Sequence, residues 1–161
     1  AYDTSGIVNN DRGVTVWLKG NRVSRNQIMA IKEESVTEQK NSLAVCLDNI
    51  LRHAGITRNT EYDLAQGKTA TMILSENMTG VQVLDLSGCT LDAVLYYVNQ
   101  DIPVLAILDD GEAVLVTGFN EFNVVIMEPS TGKLYKKGMN DATAWFAENG
   151  NHFVTYMRVE N

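Results

Sequence analysis

The chain predicts an α+β domain, with helices early and an antiparallel sheet late. Three observations predict it. From Ser42 to Ala54 the apolar residues Leu43, Cys46, Leu47, Ile50, Leu51 and Ala54 recur at the spacing of one helical face. Later, Val114–Val116 and Val124–Met127 are continuous apolar runs on either side of the polar turn Asn120-Glu-Phe-Asn123, as in strands covered on both faces. Between these regions Pro103 stops any helix and opens a third apolar run, Val104–Leu108.

Taken in order, residues 1–12 are polar and turn-rich and read as a lead-in. Val14–Leu18 and Val23 around Lys19-Gly-Asn21 predict a β-hairpin, whereas Gln27–Ser35 fits neither helix nor strand cleanly. We therefore divide the chain into a lead-in and hairpin, 1–35, and a domain, 36–161. Gly55 stops the first helix. Its start has two candidates: a cap at Asn41 or Ser42, or the capping box Ser35-Val-Thr-Glu38 two turns earlier. Thr60 can cap a second segment from Glu61, broken at Gly67 and resumed over Thr69–Leu74. Val81–Leu86 alternates as a short strand does. Thr90 caps a helix over Leu91–Val98, with Leu91, Val94, Leu95 and Val98 inward. Asp109-Asp-Gly111 turns the chain out of the Val104 strand. A short strand at Leu134-Tyr135, a small helix from about Asn140 to Glu148 and a last strand, Phe153–Arg158, complete the reading.

With 161 residues, 45% hydrophobic, the chain can bury a core without metal or disulfide staples. A formal net charge of −7 removes the electrostatic case for nucleic acid or an anionic membrane as partner. No apolar run approaches the ~20 residues that span a bilayer, so no membrane insertion by this segment is expected. A start at Ala1, without methionine or leader, suggests an excised domain or a processed form. Cys46 and Cys89 stand at no metal-binding spacing, in apolar helical surroundings, and read as buried free thiols.

Candidate chemistry is sparse. Ser42 occupies the helix N-terminus, where the macrodipole and free N–H groups would assist a nucleophile, while Cys46 lies a turn further in on the core stripe. His53 follows Cys46 by seven residues, about 10 Å along a helix, too far for a hydrogen bond. His152 reads as a surface residue before the last strand. Glu112 and Glu128 flank the buried hairpin and could face each other, with Asp109 and Asp110 nearby, for acid–base work or a cation; as strand-end residues they could equally meet only solvent. Asn77-Met-Thr79 matches a glycosylation sequon. Gly67 carries no phosphate-loop pattern, and no motif calls for a cofactor.

The ordered set of phrases carries more. Ser42-Leu-Ala-Val-Cys-Leu-Asp-Asn-Ile-Leu-Arg-His-Ala-Gly55 is followed by Gly67 through Ile73-Leu74, then by a helix into Asp101-Ile-Pro-Val-Leu-Ala-Ile107. Gly111-Glu-Ala-Val-Leu-Val-Thr-Gly-Phe119 leads to Val125-Ile-Met-Glu-Pro-Ser-Thr-Gly132, and a short helix ends in Trp145-Phe146. Over about residues 36–158 this resembles the double-glycine leader (bacteriocin-processing) peptidases, a papain-like branch of the cysteine peptidases.

The resemblance implies a papain-like fold, with N-terminal helices packed on a C-terminal antiparallel sheet, and a degenerate active site. Where that family places its cysteine, thirteen residues before the helix-stopping glycine, this chain has Ser42. The histidine position is Glu112, and the acid of the family's Asp-Pro phrase is Glu128, before Pro129. The oxyanion-hole glutamine position is Val36, with Gln39 nearby but displaced. A glutamate is too weak a base to activate a serine hydroxyl near neutral pH, and two carboxylates disfavour an oxyanion. The expectation is a domain without catalysis, with Gln39, Ser42, Glu112 and Glu128 as cleft candidates for a peptide or protein partner. The cluster favours a basic or hydrogen-bond-donating ligand. The parent would be a larger bacterial protein, exported or membrane-associated. Two other readings remain open: a hydrolase using Cys46 or Ser42 with His152, and an assembly domain whose former cleft is filled.

Overall fold

The structure, a computed structural model, describes residues 41–159. The lead-in, the predicted hairpin, the Gln27–Ser35 segment, the Ser35–Glu38 capping box, Val36 and Gln39 lie outside the described residues. The elements are α1 (Ser42–His53), α2 (Thr60–Ala65), α3 (Ala70–Asn77), β1 (Val81–Asp85), α4 (Leu91–Val98), β2 (Val104–Ile107), β3 (Ala113–Phe119), β4 (Asn123–Glu128), β5 (Lys133–Gly138), α5 (Met139–Glu148) and β6 (His152–Arg158). Among the described residues three helices precede a six-stranded antiparallel sheet of order β1-β6-β2-β3-β4-β5, so the α+β class holds.

Of the two candidate starts for α1, Asn41 is the cap: its side-chain oxygen accepts from the amides of Leu43 at 2.8 Å and Ala44 at 3.3 Å. Gly55, at φ +89°, ends it in a left-handed conformation open to glycine without strain, and Ile56 N–H closes back on the Leu51 carbonyl at 2.8 Å. The cap of α2 is Asn59 rather than Thr60. Thr60 is instead fully buried, its hydroxyl 2.7 Å from an Asp48 oxygen and 3.1 Å from the Ala44 carbonyl. Its amide donates to the same Asp48 oxygen at 2.8 Å, so one carboxylate rivets α2 to α1.

Strand residues alternate between two cores. Ala113, Leu115, Val125, Met127 and Leu105 face α1 and α3, with Leu47, Ile50, Leu51, Ile73 and Leu74. Val114, Val116, Val124, Ile126, Val104 and Ala106 face α4 and α5, with Leu91, Val94, Val98 and Phe146. Helices thus cover both sides of the central strands, which is why those sequences are apolar without a period of two. The N-terminal helices α1 and α3 supply one of these layers, as expected, and α4 and α5 supply the other. Thr117 is the extra residue of a β-bulge, where the β3–β4 register shifts between Val116 and Gly118.

Both cysteines are free, but only Cys46 is fully buried; Cys89 is half-buried, in the turn ahead of α4 rather than in a helix. The sequon residue Asn77 spends its side-chain amide on the Ile73 carbonyl, at 2.8 Å. At the end of α1, burial pushes the His53 imidazole below its ordinary 6.5; Asp101, through its charge and its backbone, partly opposes this, and Arg158 adds to it. A depressed folded-state value means that the neutral ring supports folding above about pH 6.5, and that this support is lost as pH falls through the lower folded value. Thermal unfolding followed between about pH 5 and 8 should show that loss, and His53→Gln should flatten it. An identical pH profile for both proteins would remove His53 as its source.

Candidate functional site

The first turn of α1 meets the sheet where β3 begins and β4 ends. The turn from β2 into β3 is closed by Leu108 N–H on the Glu112 carbonyl at 2.7 Å and by Gly111 N–H on the Leu108 carbonyl at 2.9 Å. Gly111 takes φ +88°, a conformation costly for a residue with a Cβ. Asp110 steadies the turn by accepting from the Glu112 amide at 2.9 Å. These contacts deliver Glu112 to the lip of β3 and Ala113 to its first buried position.

Ser42 is tied to that strand. Its Oγ accepts a hydrogen bond from Ala113 N–H at 2.9 Å, across 71 residues of sequence. The Leu43 and Ala44 amides serve the Asn41 side chain, and the Val45 amide serves the Asn41 carbonyl at 3.0 Å. The Leu43, Ala44 and Val45 amides at this helix end are therefore already engaged. At the end of β4, Glu128 accepts from the amide of Ser130 at 2.6 Å and from its hydroxyl, folding Pro129 and Ser130 into a tight turn.

Ser42, Glu112 and Glu128 line one cavity of about 310 Å³, together with Asp110, Tyr135 and Trp145. Glu112 is exposed and Glu128 half-buried. Burial, with Glu128 adding to it, pushes the Tyr135 phenol above its ordinary 10.0 and keeps it protonated beside that carboxylate. Cys46 lies beneath, fully buried in the α1 core; burial pushes its thiol well above 9.0, with Glu128, Asp48 and Glu112 adding to the rise. That is the reverse of an activated nucleophile.

The remaining candidates stay apart. His53 closes the far end of α1, and His152 opens β6 opposite Ile107. Neither lines the cavity. Among the described residues no group of three or more His, Cys, Asp or Glu side chains is placed to hold a metal ion, and no helix is long and apolar enough to cross a membrane. Tyr135 and Trp145 are the aromatic cavity residues that the sequence did not offer. Trp145 appeared only as half of a helix-end aromatic pair; its role depends on α5 folding back beside β5.

The α1 N-terminus is thus set against the central strands of an α+β domain, and the fold is like that of a C39-like peptidase. The structure superposes on a crystal structure described as a C39-like peptidase from Bacillus anthracis, with a TM-score of 0.64. The match covers 76% of this chain and 91% of that one, at 13% identity. No family profile and no curated relative matches the sequence.

Proposed function

We propose that residues 36–161 form a non-catalytic domain of the double-glycine-peptidase type that binds a peptide or protein segment in the Ser42–Glu112–Glu128 cavity. Its parent would be a larger exported or membrane-associated bacterial protein. The observation that carries the reading is Glu112 on the cavity lip, where the peptidase pattern has its histidine. Without an imidazole there, Ser42 lacks a base, and its oxygen is already an acceptor for Ala113. Cys46 is buried away from solvent with a raised thiol pKa. The cleft of the fold remains suited to an extended segment.

Two experiments test the reading. A fluorophosphonate and a chloroacetamide should label neither Ser42 nor Cys46 in the folded protein, whereas unfolding should expose Cys46 to the chloroacetamide. Stoichiometric labelling of either residue in the native state, abolished by its replacement, would establish an enzyme instead. Selection from a random peptide library should enrich binders that are lost when Trp145 is replaced by alanine. Failure to enrich any sequence above background would leave an assembly role as the better account.

A further inference from the structure

Among the described residues, no lysine or arginine forms an ion pair with the carboxylates of the cavity. The ion pairs Arg58–Asp63 and Lys68–Glu76 lie in the region of α2 and α3, and none of these four residues lines the cavity. Glu128 directs one oxygen to both donors of Ser130, which leaves its second oxygen for a ligand. Glu112 projects at the lip without a hydrogen bond from another described side chain. Two aromatic side chains, Tyr135 and Trp145, line the same cavity.

A separate observation shows what such a ring accepts. The Lys137 ammonium lies over the Trp145 ring, 4.7 Å from its centroid, so this indole already serves as a cation-binding face within the chain. Lys137 does not line the cavity itself. The volume of about 310 Å³ is at the small end for ligand pockets and suits one long side chain rather than a folded ligand.

We infer that the cavity is a subsite for a basic side chain, arginine in preference to lysine, presented by the peptide segment that the domain binds. The inference rests on the peptide-binding reading above and names the chemistry of its ligand. A guanidinium is flat enough to stack on an aromatic ring, and its fork of N–H donors matches two carboxylates better than a point-charge ammonium does. Ser42, whose oxygen accepts from Ala113, keeps its proton to donate to a backbone carbonyl of the same segment.

The test uses fluorescence anisotropy with fluorescein-labelled Gly/Ser peptides of about ten residues that differ only at the centre: arginine, citrulline or glutamate. Citrulline keeps the shape of arginine and removes its charge. The arginine peptide should bind about tenfold or more tighter than the citrulline peptide, and the glutamate peptide most weakly. Combining Glu112→Gln with Glu128→Gln should erase the arginine advantage over citrulline. Should the double variant fail to fold, the arginine–citrulline comparison on the unaltered chain still decides. Equal affinity for arginine and citrulline overturns the inference while peptide binding itself stands. Absence of binding by all three peptides also overturns it, and the library selection then judges the broader reading separately.

Discussion

Phe146→Ala should lower the unfolding free energy by about 3–5 kcal/mol, the range for removing a fully enclosed aromatic ring. Phe146 is only 2% exposed and sits between Trp145, with ring centroids 4.9 Å apart, and Phe153, at 5.3 Å and nearly edge-on. The loss would combine the transfer of the ring, the void it leaves against α4 and the sheet, and an aromatic pairing term of about 0.5–1.5 kcal/mol. Equilibrium urea unfolding measures it, and Phe146→Leu should recover more than half. The same change should reach the cavity, because Trp145 is the next residue on α5 and one of its walls. A variant as stable as the parent would mean that this second core is not closed around Phe146.

Asp48→Ala should cost about 3–5 kcal/mol, since a buried hydrogen bond to a charged group is worth about 1.5–3 kcal/mol and two are lost. Asp48 is 6% exposed and accepts two hydrogen bonds from Thr60, through the amide and the hydroxyl. Thr60 is 0% exposed, so its amide would lose its acceptor where water cannot substitute. Asp48→Asn keeps an acceptor oxygen and should restore at least half of the loss. If alanine and asparagine behave alike, charge rather than hydrogen bonding holds α2 to α1.

The parts legible in the sequence were those fixed by local chemistry. The stripe from Leu43 to Ala54 with Gly55 behind it placed α1, and Thr90 before Leu91 placed α4, because a cap and a 3.6-residue period are both short-range signals. Continuous apolar runs correctly signalled interior strands at Val114 and Val124, since both faces of those strands are covered. Other features depended on distant partners. Thr60 has the chemistry of a cap, yet Asp48 and Ala44 draw it inward, and Asn59 takes the cap instead. Strand β5 runs from Lys133 to Gly138, longer than the apolar pair Leu134-Tyr135 suggested, because pairing with β4 carries the polar residues along.

At the site, Ser42, Glu112 and Glu128 could be named from spacing and resemblance. Their shared cavity could not, since it requires α1, the start of β3 and the end of β4 to meet. The Ser42–Ala113 bond is beyond any local signal for the same reason.

The alternation of β3 between two cores has a mechanical corollary. Leu115 belongs to one packed layer and its neighbours Val114 and Val116 to the other, so a single strand is the party wall of both. Neither layer can melt while leaving that wall in register for the other. Heat should therefore meet one cooperative transition, and the cavity at the end of the wall inherits its rigidity from both sides at once.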